Sequence, residues 1–536
     1  MPEITGELGS FKKIGVVVGE TTHSEFYFAI EDTKTPQIWD YVVVPSKEVV
    51  DGAERDVLIL GQIVAITSYS PGLSEYTPYP VAEKLKDAEI IEPRNFAQVK
   101  VLGFTVNGKV LMPRRTIYPG TDVYLAPDKI LSQVYSYPDE EGLFIGHLIT
   151  RPRVKVQLTI RGFRRHLAIL AQTGAGKSYT AGVLLEELYD KGATVIVLDP
   201  HADYVFISRS KDGKRKILPR IDVFRTREST GRYTKEDIGH VETFEIRFSD
   251  LSPDEIFTVA GISDKWSNIQ KAVRDAVKEL QNERPGRYTV EDLINKLESM
   301  DSNDALRAIK YIEKLRGLKV FGEVTTPIES LLKPQHISVM DLSGLSDHVA
   351  DYIAYKILSE VYSQREQGKY KYPVFILIEE AHRFIPKKEN TLSKRIVKRI
   401  AAEGRKFGVF LILVTQRPQK IDQDVLSQCN SQIIMRMTNP EDQKAVRNSA
   451  EQVSEELLKD LPGLNVGEAV IVGEMTKMPV MVKIRERKTK EGGADIDVVA
   501  LLTAAREDAS KEDPAKRAEQ VRSEINDLID LGGEGG

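Results

Sequence analysis

A glycine-containing loop in the first half of the chain has the residue types needed to hold phosphate groups. It consists of Ala171-Gln172-Thr173-Gly174-Ala175-Gly176-Lys177-Ser178. Backbone N–H groups of such a loop point at phosphate oxygens, and its glycines let the backbone approach closely. Lys177 would place a cation on the β and γ phosphates, and the Ser178 hydroxyl would coordinate Mg²⁺. The segment predicts a P-loop for ATP and Mg²⁺, although Ala171 replaces the usual first glycine.

Two adjacent acids, Glu379 and Glu380, follow the apolar run Val374–Ile378. One carboxylate at such a strand end can serve the Mg²⁺ shell, and the other can orient or deprotonate the attacking water. Because adjacent side chains on a strand point to opposite faces, we expect the two acids to have separate roles. We assign Glu380 as the base and Glu379 to the metal side. The alternative is that both acids begin a solvated helix.

Two further strand ends carry polar residues, Asp199 and Gln416. In an open parallel sheet, ligands sit beyond the carboxyl ends of the strands. Asp199 would then lie near the phosphates, unless it only starts the turn before Pro200. Gln416 suits a γ-phosphate sensor, unless it only forms a turn.

Two arginines precede strands rather than follow them. Arg405 lies before the run Val409–Val414 and suits an arginine finger, at the active end of the sheet or at a subunit boundary. Arg165 closes a basic segment that leads to the P-loop strand, and it is a candidate to reach a nucleotide. A solvated charged edge is the alternative for this basic segment.

The elements around these residues predict an α/β protein. Strands that alternate with helices favour a parallel, doubly wound sheet, and we predict a RecA-like P-loop ATPase core. Short β-branched runs separated by turn residues, among them Asn107-Gly108, predict an N-terminal β-barrel or sandwich, of which we take the barrel. The helix-start patterns Ser252-Pro253-Asp254-Glu255 and Thr289 with Asp292 open a predicted helical insertion.

The predicted organisation has a split core. Its boundaries are 1–130 for the barrel, 131–249 for a linker and the first part of the core, 250–335 for the helical insertion, 336–485 for the second part of the core, and 486–536 for a helical tail. The tail helices are expected at Val498–Ala505 and Val521–Leu531.

Composition excludes some classes of protein. The 536 residues carry a net charge of −5, which argues against a protein that coats nucleic acid over its whole surface. The only cysteine is Cys429, so no intrachain disulfide can form. No apolar run approaches the roughly 18 residues of a membrane helix, and no signal pattern opens the chain. We therefore expect a soluble, cytoplasmic protein with no membrane partner.

Taken together, these motifs resemble those of the HerA family of archaeal DNA translocases, in the FtsK–HerA branch of P-loop ATPases. The resemblance also covers the order of parts, from barrel to tail. The matching segments are Ala171–Ser178, Asp199-Pro200-His201-Ala202-Asp203-Tyr204, Ile376-Leu377-Ile378-Glu379-Glu380-Ala381-His382, Arg405 and Thr415-Gln416-Arg417-Pro418.

The resemblance implies a function and partners. It implies a homo-hexameric ring that hydrolyses ATP and moves double-stranded DNA through a central pore. It also implies a NurA-type nuclease partner, further break-repair proteins, and a role in DNA end resection at double-strand breaks. Lys177, Glu380, Arg405 and Gln416 are the implied catalytic residues, with Arg405 acting on the neighbouring subunit's ATP. Ser178 is the implied metal residue, and Glu379, assigned above from its place at the strand end, completes the predicted metal residues. The implied nucleotide-binding residues are Gln172, Thr173, Gly174, Ala175, Gly176, Lys177, Ser178, Tyr179, Asp199 and Arg165.

Two other functions use the same ATP residues. A ring ATPase could remodel or translocate protein instead of DNA. A scaffold could bind ATP only in order to assemble. The residues alone do not separate these three functions.

Overall fold

The computed structural model of the chain describes residues 8–31, 36–450, 455–492, 498–511 and 522. It divides into two compact units, Met1–Gly492 and Gly493–Gly536. In the second unit the helix Val498–Lys511 includes the predicted helix Val498–Ala505. The other predicted tail helix, Val521–Leu531, lies outside the described residues apart from Arg522.

A closed β-barrel forms the N-terminal part of the first unit, as predicted. Its strands are β1 (Lys13–Val18), β2 (Glu25–Ile30), β3 (Tyr41–Val50), β4 (Ala53–Tyr69), β5 (Arg94–Val106), β6 (Lys109–Leu111) and β7 (Asp122–Leu125). They follow the order β2-β1-β7-β3-β4-β5-β6, and β2 also pairs with β5 to close the ring. Alternate side chains point inward, so Phe26 and Phe28 are fully buried. Asn107 and Gly108, with φ of 49° and 76°, form the turn between β5 and β6.

Two consecutive residues before β3 connect the barrel to the rest of the first unit. Trp39 Nε1 donates a hydrogen bond to Asp460 Oδ2 at 2.8 Å. Arg151 Nη2 donates to Asp40 Oδ1, also at 2.8 Å, and both side chains of this ion pair are largely shielded from water. Charge-assisted hydrogen bonds are stronger in such a shielded place than at an open surface.

A large mixed sheet forms the core. Its strands are β8 (Gly142–Leu148), β9 (Arg151–Thr159), β10 (Leu167–Leu170), β11 (Thr194–Asp199), β12 (Ile221–Arg225), β13 (Val241–Thr243), β16 (His336–Asp341), β17 (Val374–Ile378), β18 (Val409–Thr415), β19 (Ser431–Met435), β20 (Glu468–Val472) and β21 (Val480–Ile484). Their order is β13-β12-β16-β11-β17-β18-β10-β19-β20-β21-β8-β9. A separate short pair joins β14 (Ile246–Arg247) to β15 (Phe321–Gly322).

The sheet departs from the prediction at one end. The first eight strands in this spatial order, from β13 through β12 and β10 to β19, are parallel as expected. The last four, β20, β21, β8 and β9, are antiparallel. The connection from β20 to β21 is too short for the crossover that parallel strands need. Residues 142–159 were predicted as a link but form two strands of this sheet. On β9 the exposed cations Arg153 and Lys155 alternate with buried residues, which marks an edge strand with one solvated face.

The described residues also form helices. They are α1 (Tyr79–Asp87), α2 (Asp128–Val134), α3 (Lys177–Asp190), α4 (Lys235–Ile238), α5 (Pro253–Ala260), α6 (Ser267–Glu283), α7 (Val290–Glu298), α8 (Asn303–Arg316), α9 (Asp347–Glu366), α10 (Ala381–Phe384), α11 (Leu392–Phe407), α12 (Gln423–Gln428), α13 (Pro440–Ser449), α14 (Glu455–Asp460) and α15 (Val498–Lys511). The two predicted helix starts open α5 and α7, and each has a capping box.

Each face of the sheet has its own hydrophobic cluster. On β11, Ile196 and Leu198 belong to one cluster, and Val195 and Val197 belong to the other. A strand buried on both faces is a continuous apolar run, and β11 therefore fixes the position of the loop that follows it. Among the described helices, none is long and apolar enough to cross a membrane.

Candidate active site

Four neighbouring strands end at one edge of the sheet, and each supplies a loop to the candidate site. In sheet order they are β11, β17, β18 and β10, all parallel. The P-loop follows β10, Gln416 follows β18, the two acids follow β17, and the turn of Asp199 follows β11. The sequence predicts that the carboxyl ends of these strands lie next to one another, and the structure places them so.

The P-loop passes from the buried strand β10 into the 14-residue helix α3. Gly174 and Gly176 have φ of 76° and 98°, a left-handed conformation that favours glycine. Ala171 continues the pairing of β10 with β18, because its N–H donates to Thr415 O at 3.3 Å. Its side chain is fully buried in that extended segment. The first loop position therefore needs no glycine here.

The ammonium of Lys177 contacts both acids. Its Nζ donates to Glu379 Oε1, and it lies 3.0 Å from Glu380 Oε1. The expectation that the two acids point to opposite faces is therefore wrong. Glu379 still continues β17, since its N–H donates to Leu198 O, but Glu380 turns to a left-handed φ of 48°. This turn brings the Glu380 carboxylate back toward the P-loop.

The two carboxylates differ in proton affinity. Burial raises the pKa of Glu379 to about 7, against the opposing effects of Lys177 and of the Tyr204 hydroxyl, which donates to Glu379 Oε2 at 2.6 Å. Burial also acts to raise the pKa of Glu380. There His382, 3.1 Å from Oε2, and Lys177 outweigh it and lower the pKa to about 2. Glu380 is therefore ionised at neutral pH, whereas Glu379 titrates near neutrality.

The turn after β11 contributes an acid that the sequence analysis did not select. Ser178 Oγ donates to Asp203 Oδ2 at 2.9 Å. The carboxylate of Asp199 instead accepts backbone N–H groups of its own turn, from Asp203 at 3.0 Å and Tyr204 at 2.9 Å. Burial, then the charge of Asp203, raises the pKa of Asp199 well above its usual range. Asp199 thus shapes the turn that presents Asp203 to the P-loop.

Side chains of the P-loop also join it to its neighbours. Thr173 Oγ1 donates to Gln416 Oε1. Gln172 Oε1 accepts from Thr438 N at 3.1 Å and from Thr438 Oγ1 at 2.9 Å. The hydroxyl of Tyr179 accepts from Arg487 N at 2.7 Å. The structure therefore brings Gln416 to the P-loop, as expected, and directs the Tyr179 hydroxyl toward the chain after β21.

Arg405 and Arg165 lie at the opposite edge of the sheet. Each precedes a strand, Arg405 before β18 and Arg165 before β10, and these strands are parallel. About 10 Å or more of strand therefore separates them from the P-loop of the same chain. Both line a small cavity of about 150 Å³ together with Arg164 and His166. Of the two positions considered for Arg405, the active end of its own sheet is excluded.

The residues at the P-loop edge fit a nucleotide with Mg²⁺. The open space around Gly174 leaves room for phosphate oxygens, and α3 presents its N-terminal N–H groups beside it. Ser178, Asp203 and Glu379 supply the hydroxyl and carboxylate oxygens that Mg²⁺ prefers. Sequence reasoning missed Asp203 and Tyr204, although both lie in the segment after β11, where strand-end chemistry is expected.

Comparisons with known proteins agree with this geometry. The family model "Helicase HerA, central domain" matches residues 143–361, and "Helicase HerA-like C-terminal" matches residues 271–514. A probable helicase of Methanocaldococcus jannaschii is 32% identical over 518 residues, which cover 91% of this chain and 93% of the relative.

Two further relatives are each named DNA double-strand break repair helicase HerA. The protein from Pyrococcus furiosus is 31% identical, over 90% of this chain and 93% of its own length. The protein from Saccharolobus solfataricus is also 31% identical, over 91% of this chain and 95% of its own length. The match thus extends over barrel and core alike, and the family expected from the motifs is confirmed. The chain belongs to the HerA family of ATP-driven helicases.

Proposed function

We propose that this chain is a cytoplasmic, ATP-driven translocase of double-stranded DNA that acts in double-strand break repair. It would work as a homo-hexameric ring with a NurA-type nuclease and further break-repair proteins in DNA end resection. The names of the Pyrococcus and Saccharolobus relatives support the role in break repair. The observation that carries the ring is the separation of Arg405 and Arg165 from the P-loop of their own chain.

The P-loop edge supports the binding and activation steps. Lys177 and the N–H groups of the loop would hold the phosphates, with Gln172, Thr173, Ala175 and Tyr179 forming the rest of the pocket. Ser178 and Glu379 would hold Mg²⁺, which when bound neutralises charge on the phosphate oxygens. Glu380, ionised at neutral pH, would orient the attacking water. Gln416, which contacts Thr173 and directly follows β18, would act as the sensor of the γ-phosphate.

The opposite edge supports a contribution in trans. The guanidinium of Arg405 would stabilise the charge that develops on the transferred phosphoryl group of a neighbouring subunit. Arg165 lines the same cavity, and its Nε lies 3.3 Å from a carboxylate oxygen of Glu474. A phosphate group of the nucleotide would replace Glu474 as the partner of Arg165. Asp199 would act indirectly, through the turn that it shapes.

ATP hydrolysis by the purified full chain, with and without linear double-stranded DNA at low and moderate salt, tests this function. We expect DNA to stimulate hydrolysis, and added salt to weaken the stimulation steeply because phosphate contacts release counterions. Lys177→Ala should abolish hydrolysis under every condition. Robust hydrolysis that ignores DNA would overturn the proposal and favour the protein-directed ring ATPase.

A further inference from the structure

The segment Arg485–Gly492, which follows β21, runs from the P-loop helix α3 to the turn of Asp203. We call it the strap. Residues 486–492 were expected to begin the helical tail, but they form no helix and bond to the core. Its contacts join the two elements that carry Ser178 and its partner Asp203.

The strap is joined to α3 by buried carboxylates. Glu186 Oε1 accepts from Lys488 N, Thr489 N and Thr489 Oγ1, each at 2.8 Å. Arg485 pairs with Glu186 at 2.8 Å and with Glu187 at 2.7 Å, and all three side chains are almost fully shielded from water. Hydrogen bonds that satisfy a buried charge hold their partners firmly, because leaving that charge unpaired is costly.

Arg487 lies in a niche on α3. It is 2% exposed, and its Nε donates to Thr489 Oγ1 at 2.9 Å. Gly182 makes room for the guanidinium, since a Cβ there would lie 2.4 Å from Arg487 Cζ. A glycine in the middle of a helix costs about 1 kcal/mol relative to alanine, and here it allows close packing of the strap.

The far end of the strap meets the Asp203 turn. Gly492 N donates to Asp203 O at 2.9 Å. A Cβ on Gly492 would lie 2.3 Å from Ala202 O, so only glycine fits against this backbone. Lys490 N also donates to Arg209 O at 2.8 Å, which anchors the strap just beyond the turn.

We propose that the strap is a positioning element for the ATP site. By holding α3 at one end and the Asp203 turn at the other, it sets the separation of Ser178 and Asp203, and Gly492 is its critical positioning residue. The strap thereby determines how strongly Mg²⁺ strengthens nucleotide binding. This inference rests on the proposed binding of Mg²⁺ through Ser178.

Isothermal titration of the full chain with ADP, once with Mg²⁺ and once with EDTA, tests the strap. The ratio of the two dissociation constants measures the benefit of Mg²⁺. We expect Gly492→Ala to reduce this ratio about tenfold or more, as removal of outer-shell support for a metal does. ADP affinity in EDTA should stay near wild type, whereas the melting temperature should fall because the added Cβ displaces the backbone at Ala202 and Asp203. The matched control is Gly463→Ala, since nothing lies within 4 Å of a Cβ at Gly463.

Two further variants keep the test decisive. Thr489→Val preserves side-chain shape but removes the hydroxyl that links Glu186 to Arg487, and it should reduce the ratio in the same direction. Asp203→Asn should reproduce the Gly492→Ala effect, and the double variant should be no worse than Asp203→Asn alone.

An unchanged ratio in Gly492→Ala and Thr489→Val would overturn the positioning role. An equal loss of ADP affinity in Mg²⁺ and EDTA would also overturn it, because the strap would then support the whole fold of the P-loop. The titration involves neither DNA nor turnover. Its failure would leave the proposed DNA translocase standing, and hydrolysis that ignores DNA would leave the strap standing.

Discussion

The two ends of the central parallel strands differ in how their charged side chains are paired and buried. At the P-loop edge, Lys177 is surrounded by two carboxylates and is nearly buried, as are both acids. At the other edge, Arg405 and Arg164 are exposed, and within the described residues neither has an ion pair. Charge that a chain pairs internally is part of its own fold, whereas exposed, unpaired charge is available to a second molecule. Under the proposed function, the exposed arginines at this second end would serve the ATP of a neighbouring subunit.

The largest effect is expected from a substitution of the exposed Arg405. Arg405→Ala should lower ATP hydrolysis by about 10³–10⁵-fold, the value of such arginines in other nucleotide hydrolases. Mixing Arg405→Ala subunits with Lys177→Ala subunits should restore part of the activity that each variant alone lacks, because the intact P-loop of one subunit and the intact arginine of its neighbour form a complete site. Lys406→Ala, an adjacent exposed cation, is the control. No recovery of activity in the mixture would place Arg405 outside a site shared between subunits.

Glu380→Gln removes one of the two carboxylates that pair with Lys177. We expect hydrolysis to fall about 10²–10⁴-fold, the range for loss of a positioned acid–base group. Nucleotide binding should remain, since Lys177 and the loop N–H groups are unchanged. Single-turnover hydrolysis and nucleotide titration measure the two effects, with the exposed Glu389→Gln as control. Retention of near-normal hydrolysis would remove Glu380 from the chemistry.

The smallest effect concerns stability against pH. The pKa of Glu379 is about 7 in the folded chain, against an ordinary value of 4.5. Between these values the folded state binds more protons than the unfolded state, so stability falls as pH rises through this window. In Glu379→Gln that part of the decline should vanish. Melting curves from about pH 5 to about pH 7 check this, again with Glu389→Gln as control, and parallel pH trends in wild type and Glu379→Gln would contradict it.

Strand-end residues could be predicted from the sequence because buried strands are continuous apolar runs. The runs before Gly174 and before Glu379 identified both loops and their shared edge. The backbone turn at Glu380 could not be foreseen, because nothing in a pair of adjacent glutamates indicates that the second one has a left-handed backbone conformation. Asp203 was missed because its position depends on hydrogen bonds from its turn to Asp199, which sequence spacing does not report.

The strands β8 and β9 were missed for a different physical reason. The cations of β9 suggested a solvated link, yet an edge strand with one solvated face has the same composition. Only the pairing of β8 with β21 separates the two cases, and that partner lies more than 300 residues further along the chain.

Trp39 and Asp40 connect the barrel to two separate parts of the core, one through Asp460 and the other through Arg151. The barrel side chains Tyr41 and Val43 also share a hydrophobic cluster with side chains of the core. Barrel and sheet therefore belong to one compact unit. A load applied to the barrel would pass to the sheet directly through these packed contacts.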